Sequence, residues 1–221
     1  MPFKYIDLSH TIENGLVTYK NLPAPVICDY LSREESRKFY EAGTEFQIAK
    51  IEMVANTGTY LDCPFHRYEA GKDLSEFELK RFLDLEAIVI RADYRRTKAI
   101  DKSFFQNKAI HGKAVLVNTN WDEHWNSEKY FDNHSFLTRD AAQFLAENDV
   151  CLVGIDSHNI DDTRGNARPV HSILLEREIL IVEHLCNLRN LAEGSFTFTA
   201  VPPKIKGVGT FPVRAFAKMQ T

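Results

Sequence analysis

The sequence predicts an α/β protein built on a mixed sheet in two or three layers. Three observations carry this. Short, apolar, β-branched runs read as buried strands at 86–91, 113–118, 150–155 and 179–183. Runs apolar on successive residues need cover on both faces, so other layers must flank the sheet. Helical stretches fall between the runs, without the strict strand–helix–strand rhythm of an all-parallel fold.

In chain order, 46–54 is the first strand candidate. Ser75 is placed to cap a helix over 76–83. The strands at 86–91 and 113–118 follow. Trp121 and Trp125 stand four apart, a spacing that suits helical packing better than a substrate wall. Thr138 is an N-cap for a helix over 139–147, with Asp140 in its first turn. After the strand at 150–155, Pro169 opens a short helix carrying Val170 to Arg177. The strand at 179–183 comes next. The stretches 196–201 and 213–217 alternate apolar and polar residues and suit antiparallel strands.

The chain has 221 residues, no repeat and no Gly/Ser/Pro linker, so a single domain over 1–221 is expected. Hydrophobic residues make up 44% and charged residues 26%, which excludes a disordered or low-complexity chain. A net charge of -4 gives no basic footprint for nucleic acid. No apolar run reaches the roughly 18 residues of a membrane span, and the N-terminus lacks the apolar stretch of a signal peptide. Cys28, Cys63, Cys151 and Cys186 form no C-x-x-C pair. A cytoplasmic protein with reduced thiols is expected. Nucleotide-binding loops and a serine-hydrolase elbow do not occur, so no nucleotide cofactor is expected.

Three segments could carry chemistry. The first, Asn56 to His66, follows a strand candidate and contains Gly58, Tyr60, Asp62 and Pro64. Alternation puts Asn56, Gly58, Tyr60 and Asp62 on one side if it is extended. A carboxylate and an imidazole around one loop make an acid/base or metal pair, while turn capping explains the same residues. In the second, His171 lies in an apolar helix and Glu183 ends an apolar strand. A carboxylate there needs a metal, an arginine or a histidine to receive it. The third, Gly154 to Asp162, follows a strand end and includes Asp156.

Taken together these motifs identify the chain as resembling the cyclase family of metal-dependent hydrolases, which includes kynurenine formamidase (arylformamidase) and isatin hydrolase. The resemblance runs from Asp7-Leu8-Ser9 through Gly58-Thr59, Asp62-x-Pro64-x-His66 and Gly154-Ile-Asp156. It continues to His171-x-x-Leu-Leu, Glu183-x-Leu-x-Asn-Leu188 and Pro212-Val-Arg214-Ala. It implies an α/β domain around a curved mixed β-structure covered by helices, of a swivelling β/α type, usually a homodimer or homotetramer. It implies hydrolysis of the C–N bond of a small aryl-formamide or cyclic amide, as in tryptophan catabolism, with zinc or manganese. Carried over, Asp62, His171 and Glu183 would be metal ligands and His66 the acid/base.

The family signature, H-x-G-T-H-x-D-x-P-x-H, has histidines where this chain has Asn56 and Tyr60. An amide oxygen is a weak donor, and a tyrosine must lose a proton of pKa about 10 to bind well. A two-metal site is therefore not expected; one weakly held divalent ion is. Asn56, Tyr60 and Asp156 are expected to line the substrate pocket. Two other readings stand beside the one-metal hydrolase. One is a metal-free enzyme in which Asn56 and Tyr60 donate to an oxyanion beside His66. The other is a non-catalytic small-molecule binder on the inherited fold.

Overall fold

The four apolar runs form the middle of a nine-stranded sheet. In the computed structural model, which describes residues 2–192, 194 and 196–220, the chain starts with β1 (Phe3–Asp7), β2 (Val26–Leu31), α1 (Arg33–Ser36), β3 (Ile48–Glu52) and β4 (Tyr60–Asp62). It continues through β5 (Leu85–Arg91), β6 (Ala99–Ile100), β7 (Ala114–Asn118), β8 (Phe136–Leu137), α2 (Arg139–Glu147) and β9 (Leu152–Ile155). It ends with α3 (Pro169–Glu176), β10 (Leu180–Glu183), β11 (Phe196–Thr199), β12 (Thr210–Pro212) and β13 (Phe216–Gln220). The strand order is β1-β13-β11-β5-β7-β9-β10-β4-β12. The central β5, β7, β9 and β10 pair in parallel. Both flanks are antiparallel, and the mixed sheet curls into a half-barrel.

Alternation along the central strands explains why their runs are apolar throughout. Val115, Val117, Val153, Ile155 and Ile181 face one core, into which α2 and α3 send Ala141, Leu145, Val170 and Leu174. Ala114, Leu116, Leu152, Leu180 and Val182 face the other, closed by Ile6, Leu61, Phe196, Phe198 and Ala217 from the antiparallel flanks. One layer is helical and the other is the sheet curling over itself. The strands β2 and β3 pair only with each other and stand apart from both cores.

Two expectations are corrected. No α-helix forms over 76–83; only a 3₁₀ turn at Leu79–Arg81 does. The Asp73 carboxylate accepts the Ser75 N–H and hydroxyl at 2.8 and 2.7 Å and the Gly207 N–H at 2.6 Å, while Glu76 accepts the Asp73 N–H. Side chains able to cap a helix close a turn instead. The last strand begins at Phe216, not 213, because Val213 N–H donates to the Thr59 carbonyl and Ala215 N–H to the Ser9 hydroxyl. Trp121 opens a 3₁₀ turn and is fully buried, its indole donating to the Tyr130 carbonyl at 2.9 Å. All four cysteines are free. Among the described residues no helix is long and apolar enough to cross a membrane.

One glycine holds the site's backbone together. A Cβ on Gly209 would stand 2.2 Å from the His66 nitrogen and 2.5 Å from its Cα. These are backbone atoms that no rotamer change can move. Gly209→Ala is expected to cost about 1–3 kcal/mol, as overpacking does. Urea denaturation checks this, and an unchanged midpoint would show that the 62–66 turn yields freely.

Candidate active site

The three-residue strand β4 sets the site. It lies between β10 and β12, with Tyr60 paired to Glu183 and Asp62 to Thr210. Leu61 points to the core, so Tyr60 and Asp62 share the opposite face. Beyond β4, Pro64–His66 forms a single 3₁₀ turn that returns His66 beside Asp62, with His66 Nδ1 3.8 Å from Asp62 Oδ1. The helix α3 brings His171 to the same place. Its Nε2 is 3.8 Å from Asp62 Oδ2 and 3.7 Å from Glu183 Oε1.

Two residues that the sequence reading gave no role hold these side chains. Asp161 Oδ2 contacts His171 Nδ1 at 2.7 Å. The same carboxylate accepts the Val170 and His171 N–H groups at the start of α3. Nδ1 therefore donates to Asp161, and Nε2 faces the site. Thr210 donates its hydroxyl to Asp62 Oδ1 and stands 2.8 Å from His66 Nδ1. A hydroxyl has one hydrogen, so His66 Nδ1–H donates to Thr210 and Nε2 keeps its lone pair. No spacing signal exposes either residue: Asp161 sits in an ordinary polar turn, and Thr210 is remote in sequence from both its partners.

The charges are deeply buried. Asp62, Glu183 and His171 have side chains 0%, 1% and 7% exposed, whereas His66 is 35% exposed. Burial alone would push His171 down, but Glu183, Asp161 and Asp62 outweigh it and carry the imidazole up to about 10. Burial lifts Glu183 to about 7, aided by Asp62 and opposed by His171, Tyr60 and the Ile160 N–H. For Asp62, burial is outweighed by His66, His171 and Thr210, and its pKa falls below the ordinary carboxylate value. Burial and the charges of Glu183 and Asp62 hold Tyr60 well above its ordinary value, so it remains a phenol. Its hydroxyl donates to Glu183 Oε2 at 2.7 Å. That hydrogen is not available to an oxyanion, nor is the oxygen an ionised ligand.

Donor atoms of Asp62, His66 and His171 all lie within 4.8 Å of one another. Glu183 stands to the side of this group, with Oε1 accepting the Ile160 N–H at 2.6 Å and Oε2 the Tyr60 hydroxyl. Asp62 Oδ2 is buried with no hydrogen-bond partner. A buried carboxylate oxygen without a donor is costly unless a cation faces it, and His171 Nε2, at 3.8 Å, is beyond hydrogen-bond distance. The donor set therefore fits a metal ion.

A cavity of about 690 Å³ opens over these groups. Asn56, Tyr60, His66, His171 and Glu183 line it. Asp156 does not. Its carboxylate is fully buried elsewhere, accepting from Thr119 N–H and hydroxyl, Asn118 and the Asn120 N–H at 2.5–3.0 Å. Burial and Asp122 raise it to about 6 against those donors. It ties the end of β7 to the loop after β9 rather than facing a substrate.

The Cyclase family model matches residues 6–162. The chain is similar to a kynurenine formamidase from Bacillus anthracis, 26% identical over 96% of each chain. It is likewise similar to one from Bacillus cytotoxicus, 26% identical over 97% of each. A solved structure described as a potential metal-dependent hydrolase with cyclase activity superposes with a TM-score of 0.81 at 25% identity, covering 100% of both chains. Isatin hydrolase A from Labrenzia aggregata shares the fold with a TM-score of 0.85, at 18% identity, over 99% of this chain and 94% of that one.

Behind the floor of the cavity lies a layer of neutral imidazoles. His10 stacks on Trp125 at 3.8 Å, and His158 packs against His134, His184, Tyr19, Tyr130 and Phe131. Burial lowers His10 to about 3, with His184 adding to it. Burial lowers His158 to about 2, with His184, His134 and Lys20 adding to it. The unfolded chain takes up these protons near pH 6.5 and the fold does not. Stability from these groups is complete above pH 6.5 and drains away as pH falls toward about 3. Each contributes a slope of about 1 kcal/mol per pH unit in that window. Urea titrations from pH 7 to 4 should show a shallower pH slope in His158→Phe than in the wild type; parallel slopes would mean that His158 is charged in the fold.

Proposed function

The chain belongs to the cyclase family, and on the geometry of its site we propose that it hydrolyses the C–N bond of a small aryl-formamide or cyclic amide, using one divalent ion. Such a substrate would place it in tryptophan catabolism, as its kynurenine formamidase relatives suggest, and its free thiols fit a cytoplasmic setting. The observation that carries the reading is the buried Asp62 Oδ2, without a hydrogen bond and 3.8 Å from His171 Nε2, next to a cavity of substrate size that His66, His171 and Glu183 line.

Asp62 and His171 would hold the ion, with Glu183 as third donor. Oxygen-rich sets of this kind suit manganese better than zinc. When bound, the ion supplies Lewis acidity to a carbonyl or a water. The chain's own groups do the rest. Asp161 accepts the His171 Nδ1–H and aims Nε2 inward, where it gives up its proton to take the ion. Tyr60 and the Ile160 N–H hold the Glu183 carboxylate in place. His66, anchored through Thr210 and partly open to the cavity, accepts a proton at Nε2 as water attacks the amide carbon. It returns that proton to the nitrogen as the C–N bond breaks, releasing an amine and a carboxylic acid.

The compact grouping of Asp62, His66 and His171 favours a second reading, with His66 as the third ligand. One experiment separates them. Protein purified without chelator is expected to hold about one equivalent of manganese or zinc by elemental analysis, lost in His171→Ala. His66→Ala should keep the ion and lose formanilide hydrolysis by about 10²–10⁴-fold. Loss of the ion as well makes His66 a ligand. No ion in the wild type, even after incubation with excess manganese, overturns the proposal.

The proposed assembly is a homodimer or homotetramer through the β2–β3 hairpin. Tyr30 is 76%, Phe39 74% and Ile51 58% exposed there. An isolated two-stranded hairpin is marginal without further cover. Sedimentation should give a multiple of the chain mass, falling to one chain in a Phe39→Asp, Ile51→Asp variant; a monomeric wild type rejects the assembly.

A further inference from the structure

The cavity reaches Tyr60, His171 and Glu183 at its floor and is lined by cations at its outer part. Arg67, Arg139 and Arg168 all border it. Arg67 and Arg139 are exposed and Arg168 is half-buried, whereas Tyr60, His171 and Glu183 are buried. Among the described residues none of the three arginines forms an ion pair. Their contacts are neutral: Arg67 Nε donates to the Ser172 hydroxyl at 3.2 Å, and Arg168 Nη1 donates to the Gly165 and Ala167 carbonyls at 2.8 Å. Arg168 also bonds to Tyr19. Such contacts fix a guanidinium without neutralising it. The Ser172 hydroxyl in turn donates to the Arg168 carbonyl at 2.9 Å, which links the two arginines.

The acids close by in sequence are engaged elsewhere. Asp162 is held by Arg164 Nε and Nη2 at 2.9 and 2.8 Å, and Asp161 by His171. Position makes the excess charge costlier. Arg139 is the first residue of α2 and Arg168 the N-cap of α3, where the helix macrodipole disfavours a cation. Three unneutralised guanidiniums around one cavity match the planar, two-oxygen geometry of a carboxylate.

We propose that Arg67, Arg139 and Arg168 form a carboxylate-binding subsite, so that the substrate is an amide carrying a carboxylate away from the scissile bond. The substrate class rests on the hydrolase reading above; the subsite does not. With the carboxylate on the arginines, the neutral amide is left for the floor beside Glu183 and His171.

Titration calorimetry of chelator-treated protein with benzoate and benzamide tests this without catalysis. Benzoate should bind at least about tenfold more tightly than benzamide, and less tightly as salt rises. The preference should vanish in the Arg67→Gln, Arg139→Gln, Arg168→Gln variant and survive in Arg164→Gln, whose guanidinium is paired with Asp162 outside the cavity. Circular dichroism checks that the triple variant folds; if it does not, the three single variants should each weaken benzoate. Equal affinities, no benzoate binding, or a preference that survives loss of the arginines overturns the subsite. Formanilide hydrolysis by manganese-loaded protein is read separately. Benzoate binding without hydrolysis would remove the hydrolase reading and leave the subsite standing.

Discussion

The register of β4 between β10 and β12 is the constraint on which the rest of the site depends. A strand of three residues places Tyr60 opposite Glu183 and Asp62 opposite Thr210. Slipping it by one residue would send Leu61 into the cavity and both polar side chains into the apolar core. The neighbours make that slip prohibitive. Leu61 is fully buried among the residues of the curled sheet, and the Cys63 N–H donates to the Gly209 carbonyl at 2.8 Å, fastening the strand's exit. Gly209 can make that approach only because it lacks a Cβ.

That register gathers three carboxylates, Asp62, Asp161 and Glu183, around the His171 ring. So many like charges persist in a buried place only where each finds donors. Asp161 has two backbone N–H groups and the His171 ring, Glu183 has Tyr60 and Ile160, and Asp62 has Thr210 on one oxygen and only His171 Nε2, at 3.8 Å, near the other. The oxygen without a hydrogen bond sets Asp62 apart from its neighbours. Tyr60 sharpens the point. Its phenol hydrogen goes to Glu183, so a side chain on the site face serves as support for a carboxylate.

What was legible in the sequence followed from local pattern. The central strands showed as double-faced apolar runs because both faces really are buried. The helices over 139–147 and from Pro169 showed through Thr138 at the N-cap position and Pro169 in the first turn, although the Thr138 hydroxyl donates to the Ile100 carbonyl and Asp140 and caps no helical N–H. Asp62, His66, His171 and Glu183 were legible as candidates because two short motifs hold them, and the fold brings the four together. Contacts that close only in space were not legible. Thr210 lies in a three-residue strand, and its only distinction is its neighbours. Asp161 shares its turn with Asp156 and Asp162, and composition cannot say which acid faces the helix. Asp156 was the residue singled out there, and it serves the β7–β9 junction. Ser75 shows the same limit: a capping residue cannot announce whether it will start a helix or close a turn with Asp73.

The arginines stand at the outer end of the cavity and the reacting groups at its floor, and this separation does what neither end could do alone. The floor presents His66, His171 and Glu183, and a ring of arginines by itself would hold an anion without regard to orientation. Arranged along one cavity, they leave a charged amide a single favourable direction, with its anion outward and its neutral bond inward. Orientation of this kind lowers a barrier by fixing reacting groups before reaction rather than by adding contacts. The work of placing the substrate falls on the outer cations, and the floor needs only to present His66 and its neighbours to a bond already delivered there.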